Sequence, residues 1–155
     1  MTSRIRQRRK TSLAFAGAAL SMGLAAAPLL AADPLECRDI LQSYHAARQS
    51  FIERQVDTFL ARAAQKGCAE LAAELIRDGA SVRARRREGD TALHHAVRAT
   101  LPDTARVLID AGADIEQREL SGATPLFHAV EAGRLATVRL LLERGASPDA
   151  PGKSA

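Results

Sequence analysis

The apolar positions between Gly89 and Ile115 fall into two short helical groups separated by a polar break. Leu93, Ala96 and Val97 lie on one face of a first helix, and Val107, Leu108 and Ile109 mark a second. Thr91 stands where the first helix needs an N-cap oxygen, and Pro102 falls in the first turn of the second, where proline is tolerated. Gly112 suits a left-handed residue that ends the second helix. The whole pattern then returns. Leu126, Ala129 and Val130 repeat the first group, Leu140, Leu141 and Leu142 the second, with Thr124-Pro125 at the start and Gly145 at the end. A fainter copy lies upstream, from Thr58-Phe59-Leu60-Ala61 to Gly79-Ala80-Ser81-Val82. Thr58, Thr91 and Thr124 are 33 residues apart, as are Gly79, Gly112 and Gly145. Turns between the paired helices are expected at Gly67, Thr100 and Gly133, and hairpin turns between units at Gly89 and Gly122. A fixed period of this length indicates a stacked array, because no single unit can bury its own apolar face.

The recurring segments also carry a family resemblance. Thr91-Ala92-Leu93-His94 matches Thr124-Pro125-Leu126-Phe127, and Gly112-Ala113-Asp114-Ile115 matches Gly145-Ala146-Ser147-Pro148. With these TPLH-like and LLxxGA-like segments, the stretch from about Glu53 to Pro151 resembles the ankyrin repeat family. The resemblance implies an all-α ankyrin-repeat α-solenoid of stacked helix-turn-helix units joined by short hairpin loops. It implies a non-catalytic module, without cofactor, that binds another protein through the hairpin tips and the exposed side of the first helices. Those positions here are Arg87, Glu88, Asp90, Arg98 and Ala99 in the second unit, and Leu120, Ser121, Ala123, Glu131 and Ala132 in the third, with Gln65 and Lys66 extending the surface to the first. His94 holds the family's histidine position, whose side chain bonds nearby backbone.

The opening of the chain is different in kind. Arg4, Arg6, Arg8, Arg9 and Lys10 precede an uncharged Ala- and Leu-rich run that closes on small residues before Asp33. This is the pattern of a secretory signal peptide over residues 1–32, cut after Ala31 or Ala32; an uncleaved membrane anchor is the alternative. The expected location is therefore periplasmic or secreted. The segment also changes the charge argument. The chain carries 22 basic and 18 acidic residues, a net +4, but five of the basic residues and none of the acidic ones lie in the first 32. The remainder has 22 − 5 = 17 basic against 18 acidic residues, so no general electrostatic case for nucleic acid remains.

Residues 33–57 are expected to form an N-terminal helical cap of one or two helices, covering the open end of the first unit over 58–150; residues 151–155 form a polar tail. Leu35, Ile40, Leu41, Tyr44 and Ala47 fit one face of the cap, and Phe51, Ile52, Val56 and Phe59 another. At the C-terminal end Arg134, Arg139, Glu143 and Arg144 are left to keep the last unit soluble. Glu74 breaks the pattern, since Val107 and Leu140 hold the matching positions. A buried unpaired carboxylate is costly, so either it is paired or its helix turns toward solvent.

Candidate chemistry is sparse. Cys37 and Cys68 are the only cysteines, and an exported chain favours their pairing as a disulfide between the cap and the first unit. They lack the CxxC spacing of redox catalysis or zinc sites. His95 and His128 stand one period apart, but Ala99 and Ala132 occupy the i+4 positions that a helical metal site would use, so no metal is expected. Gly152-Lys153-Ser154 has the end of a phosphate-binding loop without the glycine that should precede it. Arg83, Arg85, Arg86 and Arg87 crowd the first hairpin and suit a partner protein with an acidic patch. The favoured reading is an exported, monomeric protein-binding module. An inhibitor or immunity protein for a periplasmic enzyme is a narrower alternative, and a metal-handling protein a more distant one.

Overall fold

The computed structural model describes residues 34–47, 54–99 and 102–149. The expected signal segment, Phe51, Ile52, the Thr100 turn and the 151–155 tail lie outside the described residues. The elements are α1 (Pro34–Ala47), α2 (Arg54–Lys66), α3 (Ala69–Arg77), α4 (Ala92–Ala96), α5 (Asp103–Asp110), α6 (Pro125–Glu131) and α7 (Leu135–Glu143). Among the described residues there is no strand, and no helix is long and apolar enough to cross a membrane.

Three antiparallel helix pairs, α2/α3, α4/α5 and α6/α7, stack in chain order. First helices pack on first helices, α2 on α4 and α4 on α6, while α3 packs on α5. Leu60, Leu75, Leu93, Leu108 and Leu141 are fully buried between them, and small residues such as Ala63, Ala64, Ala96, Ala105 and Ala129 let the helices approach closely. Scarcity of aromatics fits this design, because the layers are too thin to hold many large rings.

The sequence signals act as expected at the helix ends. Thr124 Oγ1 accepts from Phe127 N at 3.3 Å, with Pro125 at the first helical position. Each second helix ends in a glycine at positive φ, +100° at Gly79, +88° at Gly112 and +92° at Gly145. In each unit the next residue's N–H returns to a carbonyl five positions back, Ala80 to Leu75, Ala113 to Leu108 and Ala146 to Leu141. The chain thus satisfies its last carbonyls and tucks an alanine into the core. Pro102 directly precedes α5.

The cap differs in detail from expectation. α1 lies against α2, burying Ile40 and Tyr44, with Cys37 and Leu41 partly covered. Leu35, expected on the same face, is exposed. The expected boundary between cap and first unit falls inside α2, which starts four residues before Thr58 and runs through it. Neither proline nor glycine interrupts that segment, so nothing stops the helix there. The sulfurs of Cys37 and Cys68 are 2.03 Å apart and the Cα atoms 5.6 Å, compatible with a disulfide. Tyr44 Oη donates to Asp78, and Lys66 Nζ pairs with Glu36 at 2.9 Å. Glu74 resolves as a paired, half-buried carboxylate: its Oε1 lies 3.4 Å from His45 Nε2 on α1.

Candidate protein-interaction surface

The hairpin loops are built on one plan. Arg86 N bonds Asp90 O at 3.0 Å and Glu119 N bonds Ala123 O at 3.1 Å, at matching positions one period apart. Leu120 N also bonds Glu88 O at 3.0 Å, so the two tips are joined by backbone. Gly89, at φ +76°, permits that approach, since a Cβ there would sit 3.1 Å from Leu120 N. The tips therefore form one continuous edge beside α4 and α6.

The four arginines of the first hairpin are not equivalent. Arg83 Nε donates to Gly112 O at 3.3 Å, beside an open groove of about 480 Å³ lined in part by Val82, Thr91, Ile115 and Gln117. Arg85 donates to Gly89 O at 3.2 Å and across to Arg118 O at 3.0 Å. Arg86 Nη1 lies 3.1 Å from His95 Nε2. Arg87 is exposed and has no polar partner among the described residues. The sequence offers all four to a partner's acidic patch; in the structure Arg83, Arg85 and Arg86 brace the loop, and the one of the four with freedom to reach a partner is Arg87.

The exposed side of the first helices carries two polar knots. Around His95, Asp90 Oδ2 approaches Nε2 to 2.5 Å opposite Arg86. Burial lowers the His95 pKa, aided by Arg86 and Arg98 and opposed by Asp90. Around His128, Glu119 Oε1 is 3.1 Å from Nε2, and Glu131 Oε2 is 3.4 Å from Nδ1. Arg98 Nη2, from the preceding unit, lies 2.9 Å from Nδ1. Burial pushes the Glu119 carboxyl up, but a 2.7 Å hydrogen bond from Ser121 together with His128 and His94 outweighs it and holds the group below its usual range. Beneath them, His94 Nδ1 accepts from Thr91 N at 3.2 Å, and its ring meets that of His128 edge-on at 5.9 Å. Burial, then proximity of His128, lowers the His94 pKa to about 4 against the pull of Glu119, the Ala123 backbone and Asp90.

The positions expected to contact a partner therefore sort physically. Arg87, Glu88 and Leu120 stand at the exposed tips, with Leu120 77% accessible. Arg98 and Glu131 are exposed but engaged with His128, and Ser121 is half-buried against Glu119. Asp90 and Ala123 are buried, at 4% and 0%, and shape the surface from within rather than presenting themselves. Gln65 is exposed, while exposed Lys66 turns to Glu36 of the cap. Sequence reasoning missed the part played by Glu119. Its signal was present, since Glu119 stands one period from Arg86 and both flank a histidine of the same register. No group of three or more His, Cys, Asp or Glu is placed to hold a metal among the described residues.

Stacked helix pairs with glycine-terminated second helices and hairpin tips along one edge define a helical repeat solenoid. The family model described as ankyrin repeats (3 copies) matches residues 29–119 and 60–151, and the chain belongs to the ankyrin-repeat family. Members of this family are in general non-enzymatic and serve as protein–protein interaction modules. A search of curated proteins gave no match.

Proposed function

We propose that the chain is exported by its N-terminal segment and binds an acidic patch on another protein in the periplasm or outside the cell, through the hairpin tips and the adjoining side of α4 and α6. One observation carries this reading. Arg87 and Leu120 occupy the same register in successive hairpins, project freely, and sit on loops braced by Arg85 and by backbone hydrogen bonds. A charged anchor beside an exposed apolar one, on a preorganised edge, loses little conformational entropy on binding. Arginine at the free tip suits a carboxylate, since its planar fork makes two parallel hydrogen bonds.

The test is affinity capture from extract of the compartment that receives the protein, followed by titration of the captured partner. Arg87→Glu with Leu120→Asp should weaken binding by about tenfold or more, with slower association at low salt. Arg106→Glu, a charge reversal at an exposed position of α5, should leave affinity nearly intact. The reverse order of effects would place the binding face on the other side of the stack. Arg86 is not a clean probe, because its charge also braces the His95 knot.

A further inference from the structure

We infer that the C-terminal end of the stack is a self-association surface through which two copies of this chain pair end to end. The argument starts from the repeat register. Val97 is 0% exposed in the second unit, and Val130, its counterpart 33 residues on, is 60% exposed. Ala105 is fully buried, whereas its counterpart Val138 is only partly so; partly buried Ile109 becomes Leu142, 43% exposed. Half-buried Pro102 becomes Leu135, 74% exposed. The two units share the same register, although α6 and α7 extend slightly further than α4 and α5. What differs is the neighbour: the second unit is covered by the third, and among the described residues nothing covers the third.

The side chains at this face are not those of a solvated end. Leu135, Val138 and Leu142 lie at i, i+3 and i+7 of α7, a continuous helical stripe, and Val130 is exposed on its paired helix α6. Each is as large as, or larger than, the wholly or partly buried residue it matches. A surface needing only to be soluble would carry polar groups there, as exposed apolar patches mark interaction sites. Of the five large hydrophobic side chains exposed among the described residues, three, Val130, Leu135 and Leu142, belong to this last helix pair.

A second copy is the occupant that the chain itself specifies. Within the molecule, the surface that covers this register is another repeat unit of the same kind. The opposite end cannot serve, because α1 closes it by burying Ile40 and Tyr44 against α2. Head-to-tail stacking into a filament is therefore blocked, and the uncovered end of one copy meets the uncovered end of another. Such a contact is isologous and closes at two. Its rim is self-complementary in charge. An antiparallel contact of α7 with α7 near Leu141 would direct Arg139 of one copy toward Glu143 of the other. This departs from the monomer expected from sequence, where the charges near this end were read as sufficient for solubility. The pairing leaves the hairpin edge free, so a dimer would offer two binding surfaces and gain avidity for a multivalent partner.

The test is sedimentation equilibrium of the full chain over a range of concentration. The wild type should approach twice the chain mass at concentrations of about 100 µM, as expected for a small interface of micromolar affinity. Val130→Glu with Leu142→Glu should raise the dissociation constant by about tenfold or more, and Leu35→Glu, the same kind of change at an exposed position of α1, should not. Circular dichroism checks that the double variant is folded; if it is not, Val130→Thr with Leu135→Gln makes the same test more gently. A wild type that stays monomeric overturns the proposal. So does association that survives the end-face variants, or open-ended growth beyond the dimer.

Discussion

His94 shows what a single residue contributes and what it costs. Its place in the TPLH-like segment marks it as structural, and its Nδ1 does take the Thr91 N–H at 3.2 Å. Full burial then makes the charged form expensive and lowers its pKa from 6.5 to about 4. In the unfolded chain the same ring titrates near 6.5, so between these values the unfolded state binds more protons. Stability is fully present above pH 6.5 and falls as the pH drops toward 4, by about 3 kcal/mol for this group alone. His95 shifts in the same direction and adds to the trend. Thermal melts should thus show Tm declining between pH 6.5 and pH 4, and His94→Gln should flatten part of that slope while lowering Tm at pH 7. A His94→Gln variant with an unchanged slope would refute the assignment. The arginines were less legible. Sequence shows four within Arg83–Arg87, but not that Arg85 reaches Arg118 O one unit away. Such contacts depend on the offset between loops, which no local pattern encodes.

At the level of elements, helix starts and stops were legible wherever a cap residue or glycine dictates backbone geometry, as at Thr124 and Gly145. They were not legible at Thr58, where the same residue type lies inside a helix because nothing upstream breaks it. Glu74 stands out in the sequence as anomalous, and its partner His45 lies on an element whose docking the sequence leaves open. With both side chains partly in water, this pair contributes about 1 kcal/mol at most. The tie between α1 and the first unit rests more on Cys37 and Cys68. In the chain-entropy model, closing their loop of 31 residues is worth about 3–4 kcal/mol. Thiol titration of native protein purified from an oxidising compartment should find neither cysteine free, and Cys37→Ser with Cys68→Ser should lower the urea midpoint. Two reactive thiols would leave α1 held by packing alone.

The period of 33 residues fixed the architecture of the whole molecule, because equal spacing of Thr, Leu and Gly permits only a stack of equal units. Which side chains the stack frees is a different matter, settled by contacts between units. That is why Asp90 and Ala123 proved buried while Arg87 and Leu120 stand clear. The central claim is that this clear edge meets a partner protein. Its most direct measurement is site-specific photo-cross-linking in the producing cell, with the reactive group placed at Leu120 in one strain and at Arg106 in another. The account predicts a discrete cross-linked partner from Leu120, weakened by Arg87→Glu, and none from Arg106. A discrete partner captured from Arg106 but not from Leu120 would contradict it.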